Sequence, residues 1–399
     1  VDAALSLRPA QDIWPVCRRR VMNMSVRPSA GFDPMLRALA LAASVVGTTS
    51  PNPAVGAVLV RDGEIVGEGA TQPPGGPHAE VVALRQAGER ARGATLFVTL
   101  EPCSHVGRTP PCAEALIAAG VREVHFAIPD PSPWVAGGGR RALEAAGISV
   151  HVGERAEEAR RLNEAFLKWA NTGLPFVTAK YAMTLDGKIA TRAGHSRWIS
   201  GEAARALVGR WRAASDAILV GVQTILRDDP QLTARDERGQ PLARQPLRVI
   251  FDSRARTPSA ARAVAPEAPG RALVVTTDEA PPEQIARLRA QGVEVLQVPS
   301  RAGRVDPGAA LRELGRREVT SVFAEAGGEL LASLLAAGLV DKVVAFIAPI
   351  LVGGACAPTP LAGAGVETMD QAIRLRDVSY ELVGRDVLVV GYPVCSPAS

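Results

Sequence analysis

Aromatic residues are scarce here, at 4% of 399 positions, so the apolar mass rests mainly on Ala, Val and Leu. Cysteine is also sparse. The five present (Cys17, Cys103, Cys112, Cys356 and Cys395) are odd in number and lack the regular spacing of a disulfide framework. Only Cys103 and Cys112 lie close together, which suits metal ligands better than a bridge. No apolar run reaches the roughly 18 residues of a membrane helix. Arg18-Arg19-Arg20 is followed by no continuous apolar stretch with a cleavage site, so no secretory signal is read and a cytoplasmic location is expected. Excess charge is lacking too: the formal net charge is +4, and no extended Lys/Arg run offers a nucleic-acid footprint. The expected partner is a small molecule, not a nucleic acid or a membrane; a homo-oligomer is left open.

What is present is ordinary globular composition, 47% hydrophobic and 22% charged. The length exceeds one typical domain and predicts two. Residues 1–30 show no periodicity and carry Pro9, Pro15 and Pro28, as expected of a loosely ordered leader. Asp33-Pro34 reads as an N-cap with proline at the first helical position, opening a helix to about Val46. Ala57–Val60, the turn Asp62-Gly63 and Glu64–Glu68 read as a hairpin. Helices at Ala79–Ala87, Cys112–Ala119 and Gly139–Ala146 then alternate with strands at Thr95–Thr99, Val124–Ile128 and Ile148–Val152, an α/β layer pattern. A long helix, Ala156–Ala170, runs into the stop signals Asn171 to Pro175, which places the domain boundary between residues 172 and 173. A second α/β domain, 173–399, begins with the strand Phe176–Tyr181. Its later strands are read up to Val343–Ile347, with Thr257–Gly270 as a surface loop.

His78-Ala79-Glu80 stands at a helix start, and Pro102-Cys103 and Cys112 follow about one helix and one strand later. One imidazole and two thiolates suit Zn²⁺ and leave a fourth tetrahedral position for water, whose pKa the metal lowers. Glu80, two residues from the His, is placed to carry a proton without ligating. This is the His-x-Glu plus Pro-Cys logic of zinc deaminases, although the second Cys comes nine positions after the first instead of three. A closed structural zinc site is the alternative, with His105 as fourth ligand. Asn52, in Ser50-Pro51-Asn52-Pro53, can present an amide to a base edge or simply form a turn. His105 and Arg108, between the cysteines, suit a phosphate or a heterocycle.

In the second half, Glu325-Ala326-Gly327-Gly328-Glu329 carries a strand through a glycine pair into a helix, a start able to cradle phosphate. No Gly-x-Gly-x-x-Gly is present, so a standard Rossmann site is not supported.

These motifs together resemble the bifunctional deaminase–reductase family of riboflavin biosynthesis. The resemblance is carried by Pro51-Asn52-Pro53-x-Val55-Gly56, by His78-Ala79-Glu80, and by Glu101 to Cys112 with its extended cysteine spacing. In the second half it continues through Thr178-Ala179-Lys180, Leu185-Asp186-Gly187, Trp198-Ile199-Ser200, Asp228-Asp229-Pro230, Asp252-Ser253 and Glu325 to Gly328. It implies a cytidine-deaminase-like three-layer domain, 31–172, followed by a dihydrofolate-reductase-like α/β domain. It also implies Zn²⁺ and NADPH as cofactors and a pyrimidine ribosyl phosphate as substrate. By the same resemblance Ala182, Thr224, Asp228, Ser253, Gly327 and Gly328 contact NADPH. Lys180, Ser196, Trp198, Arg212, Leu232, Arg235 and Glu325 serve the reductase substrate, with Lys180, Asp228 and Glu325 as candidate proton handlers. The expected chemistry is zinc-hydroxide deamination of the diamino-pyrimidinone, then reduction of its ribosyl group to ribityl. A deaminase acting on nucleic acid and a non-enzymatic zinc scaffold are the competing classes.

Overall fold

The computed structural model describes residues 32–105, 110–132, 137–236 and 238–394. They divide into two compact units that meet in sequence at Gly173 and Leu174.

The first unit runs α1 (Pro34–Ala43), β1 (Gly56–Arg61), β2 (Glu64–Ala70), α2 (Ala79–Ala87), β3 (Thr95–Val98), α3 (Cys112–Ala119), β4 (Glu123–Phe126), α4 (Gly138–Ala145), β5 (Ser149–Val152), α5 (Ala156–Leu162) and α6 (Glu164–Thr172). Asp33 caps α1 as expected, its carboxylate accepting from the Leu36 amide at 2.9 Å. The helix stops at Ala43, three residues short of Val46. The sheet order is β2-β1-β3-β4-β5, with β1 antiparallel to β2 and β3, and β3, β4 and β5 mutually parallel. Gly56 abuts α1 and Gly69 abuts α2. Gly69 pairs with Ala57, next along β1 from Gly56, so the two helices cover opposite faces and the unit has three layers.

The helix expected over Ala156–Ala170 is broken at Asn163. Its side chain turns inward, accepting from the Ala54 amide and donating to the Ala54 carbonyl, both at 2.9 Å. The apolar periodicity is continuous across the break, so the pattern alone could not reveal it. Asn163 gives up helical continuity to satisfy two buried backbone groups.

The second unit contains β6 (Phe176–Thr184), α7 (Glu202–Ala214), β7 (Ala217–Gly221), α8 (Val222–Asp228), β8 (Leu247–Phe251), β9 (Ala272–Thr277), α9 (Pro282–Ala290), β10 (Glu294–Val298), the small pair β11 (Ser300–Arg301) and β12 (Arg304–Val305), α10 (Pro307–Arg316), β13 (Ser321–Ala324), α11 (Gly328–Ala336), β14 (Lys342–Ala348), β15 (Leu375–Val383) and β16 (Asp386–Pro393). Its nine-stranded sheet has the order β10-β9-β8-β7-β13-β6-β14-β16-β15. The seven strands from β10 to β14 are parallel. They are buried on both faces: Leu219, Val249 and Leu273 enter one core, Ile218, Ile250 and Val274 the other.

The 257–270 stretch is a loop as expected, without helix or strand, but it is not wholly at the surface, because Ala261, Ala263 and Val264 are buried in the second core. Its backbone is held by two buried charged residues. Asp252 accepts from the Thr257 amide and hydroxyl at 2.6 and 2.7 Å, and Arg248 donates to the Gly270 carbonyl at 2.8 Å. The antiparallel hairpin β15–β16 was not read from the sequence at all. Its outer strand is mostly exposed, and its turn through Gly384-Arg385 carries no Asn-Gly signal.

Candidate active sites

Helices α2 and α3 bring their N-termini to one centre. His78 is the N-cap of α2, Cys112 is the first residue of α3, and Cys103 lies on the segment between β3 and α3. His78 Nδ1 is 3.6 Å from Cys103 Sγ and 3.3 Å from Cys112 Sγ. A tetrahedral zinc ion with ordinary Zn–N and Zn–S bonds requires an N···S edge of about 3.6 Å, so the donor set fits the ion. Positive helix ends also favour thiolate here. Cys103 Sγ accepts from the Cys112 amide at 3.3 Å. The Cys103 thiol is held down to about 4, first by its hydrogen bond with Cys112, against burial, with His78 adding to the effect. The hydrogen bond with Cys103, and after it burial, push the Cys112 thiol up.

Glu80 sits in the first turn of α2 and is 4% exposed. Burial, and after it the neighbouring Cys103, push its carboxyl up to about 7. His105 does not join the ligand group formed by His78, Cys103 and Cys112. Its Nδ1 is buried without a partner among the described residues. Asn52 is half-buried on the segment before β1, its backbone N–H donating to Thr49 O at 2.9 Å. Arg108 lies outside the described residues.

Sequence reasoning passed over Glu101, the residue that fixes the cysteine segment. It is 3% exposed and accepts from the amides of Arg140 at 3.0 Å and of Gly137 and Asp130 at 3.3 Å, binding the start of α4 to the metal side. Gly139 packs so closely that an added Cβ would stand 1.8 Å from Pro102 O. The Gly137-Gly138-Gly139 run was the available signal.

In the second unit the candidate residues gather at the C-terminal ends of adjacent parallel strands, the usual ligand edge of such a sheet. Lys180 lies on β6, Gly221 ends β7, Ser253 follows β8, and Glu325 to Gly328 follow β13. Glu325 is 11% exposed; Lys180 Nζ stands 3.7 Å from it, and Arg212 of α7 closes on it with both arms of its guanidinium. Burial alone would push the Glu325 carboxyl up, but the charges of Arg212 and then Lys180 hold it below its ordinary value. Burial lowers Lys180, with Glu325 opposing.

The Arg212 guanidinium, assigned to the reductase substrate by the family resemblance, is thus engaged by a carboxylate. Arg235 lies beside α7, its carbonyl 3.9 Å from where a Cβ on Gly209 would stand, and its guanidinium donates to Thr233 Oγ1 at 3.0 Å and Gly239 O at 2.6 Å. Leu232 has a left-handed backbone, φ 54°, and buries its side chain in the second core. Arg197, flanked by Ser196 and Trp198, donates to Asp228 O at 2.8 Å and so ties that stretch to the end of α8, which also carries Thr224. The Trp198 ring is exposed, with Arg205 stacked 4.6 Å from its centroid. Ala182 is half-buried on β6. Ser253 Oγ accepts from the Val305 amide at 3.1 Å. Gly327 has open space where a Cβ would project, whereas Gly328 is pressed against Thr359 O. An open glycine at the start of α11 fits a cofactor phosphate.

Comparison with known proteins agrees with this geometry. Residues 33–128 match the cytidine and deoxycytidylate deaminase zinc-binding region, and residues 175–389 match the RibD C-terminal domain. Riboflavin biosynthesis protein RibD of Actinobacillus pleuropneumoniae is 44% identical over 373 residues, 94% of this chain and 98% of that protein. The structure of Acinetobacter baumannii RibD is 40% identical with a TM-score of 0.82, covering 91% of this chain and 98% of that one. A Thermotoga maritima structure, described as a diaminohydroxyphosphoribosylaminopyrimidine deaminase/5-amino-6-(5-phosphoribosylamino)uracil reductase, is 36% identical with a TM-score of 0.79 and covers 90% and 98%. The chain belongs to the RibD family of riboflavin biosynthesis, a zinc-dependent deaminase joined to an NADPH-dependent, dihydrofolate-reductase-like reductase.

Proposed function

We propose that the first unit deaminates 2,5-diamino-6-(5-phosphoribosylamino)pyrimidin-4-one and that the second reduces the ribosyl group of the resulting aminouracil to ribityl. The observation that carries this reading is the convergence of His78, Cys103 and Cys112 at tetrahedral spacing beside a buried, non-ligating Glu80. Bound at those three residues, zinc supplies the Lewis acidity that makes water nucleophilic near neutrality. Glu80 takes the proton of that water and returns it to the departing amine, so ammonia leaves without a free charge in the pocket. Asn52, His105 and Arg108 hold the ring and its substituents.

In the second unit Ala182, Thr224, Asp228, Ser253, Gly327 and Gly328 would hold NADPH, which would supply the hydride for C1′ of the ribosyl group. As the C1′–O4′ bond opens, O4′ takes a proton from Lys180. Glu325 keeps Lys180 charged for that transfer and fixes its position, and Arg212 in turn fixes Glu325. Ser196, Trp198 and Arg235 border the substrate, and Leu232 does so through its backbone, its side chain being buried. A cytoplasmic address belongs to the same proposal, because a reducing compartment keeps two unbridged thiolate ligands available.

The test supplies the diamino-pyrimidinone ribosyl phosphate and NADPH to purified zinc-loaded protein. Ammonia release followed by NADPH consumption supports the two-step order. NADPH consumption without prior ammonia release overturns it.

A further inference from the structure

Two of the five histidines in the chain lie away from both sites, side by side on β4 and β5. The register sets Phe97, His125 and His151 in one row across three strands, and Glu123 one step back along β4. The His125 ring stacks between Phe97, 4.7 Å away, and His151, 4.6 Å away. The rings are therefore fixed in orientation by packing.

Their nitrogens converge. Nε2 of His125 and Nε2 of His151 face the same oxygen, Glu123 Oε1, at 3.2 and 3.0 Å. Neighbouring donors around a zinc-sized ion lie about 2.9 to 3.4 Å apart when each metal bond is of ordinary length. Both measured edges fall in that interval. Behind the inner imidazole, Glu154 Oε2 stands 3.3 Å from His125 Nδ1. A carboxylate on the far ring nitrogen is the usual support of a metal-bound histidine, since it fixes the tautomer and strengthens the donor.

We propose that Glu123, His125 and His151 form a second divalent transition-metal site in the deaminase unit, separate from His78, Cys103 and Cys112. Two imidazoles and one carboxylate select zinc, cobalt or nickel over magnesium and calcium, which prefer oxygen ligands. The site bridges β4 to β5, a four-residue strand at the sheet edge with one neighbour. A metal there fastens this edge strand to its neighbour, a structural role independent of ammonia release.

The test titrates the metal-stripped full chain with Co²⁺ alone and follows bound equivalents, the visible spectrum and thermal unfolding. Wild type is expected to take two equivalents, only one of them with sulfur-to-cobalt absorption, and the second raises the midpoint. His151→Ala changes a half-exposed surface side chain and should fold normally. It is expected to take only the sulfur-ligated equivalent, lose the extra midpoint shift, and release ammonia at the wild-type rate when loaded with zinc. His125→Ala should lose the same equivalent. Saturation of wild type at one equivalent, or retention of two by either variant, overturns the site.

Discussion

Glu325 and Arg212 meet in a two-point ion pair, Oε2 lying 2.9 Å from Nη2, although 113 residues separate them in the chain. Lys180 approaches the same carboxylate from β6. Removing the acidic partner leaves two largely buried cations facing each other. Glu325→Gln should therefore cost about 3 kcal/mol of stability. It should also lower NADPH consumption at least tenfold, with ammonia release unchanged. Urea unfolding and the two separate assays check each part.

The same carboxylate gives a pH dependence of definite sign. Glu325 is held below its ordinary value of 4.5 in the folded protein. On acidification the unfolded chain takes up its proton first, so folding loses this contribution as pH falls through the folded-state value. The stability difference between wild type and Glu325→Gln should be complete above 4.5 and shrink below it. A difference that stays constant under acid contradicts the pairing.

Much of this was legible in the sequence. Zinc chemistry is local: His78-Ala79-Glu80 and the cysteine segment declare themselves by residue type, and the helices that aim them start at Ala79 and Cys112 as the periodicity predicts. The fold class followed from the alternation of helix and strand. The Arg212–Glu325 pair was not legible as a contact, because nothing local to either residue reports the other. Asn163 was hidden within an unbroken apolar pattern, and the β15–β16 turn is marked by Gly384 alone, without Asn-Gly.

Glycine 139 should govern metal binding at a distance. A Cβ at that position meets Pro102 O at 1.8 Å, next to a ligand cysteine, and backbone has no easy way to yield. Gly139→Ala is expected to weaken zinc affinity at least tenfold while the reductase still consumes NADPH on aminouracil substrate. Metal competition with a coloured chelator reads the loss. Wild-type affinity in the variant would show that the α4 start does not position Cys103.

Asn163 both donates to and accepts from Ala54, two residues from Asn52. Asn163→Ala strands two buried backbone groups and should destabilise the first unit by about 2–4 kcal/mol. Asn163→Asp keeps the acceptor for the Ala54 amide but loses the donor and buries a charge, so it should not rescue. Thermal unfolding compares the three proteins.

Gly327 and Gly328 should separate by phenotype. Gly327→Ala meets open space and should fold as wild type while raising the KM for NADPH. Gly328→Ala drives a Cβ to 2.8 Å from Thr359 O and should cost about 1–3 kcal/mol of stability. Unfolding midpoints and NADPH titrations distinguish the two.

The central claim is that Glu80 carries the proton for deamination and takes no part in holding the metal or in reduction. Glu80→Gln tests it most directly, with bound zinc, ammonia release and NADPH consumption measured on one preparation. The account predicts one zinc retained at the His78, Cys103 and Cys112 site, ammonia release lowered at least a hundredfold, and wild-type NADPH consumption when the aminouracil ribosyl phosphate is supplied. Ammonia release within tenfold of wild type, with zinc bound, would contradict it.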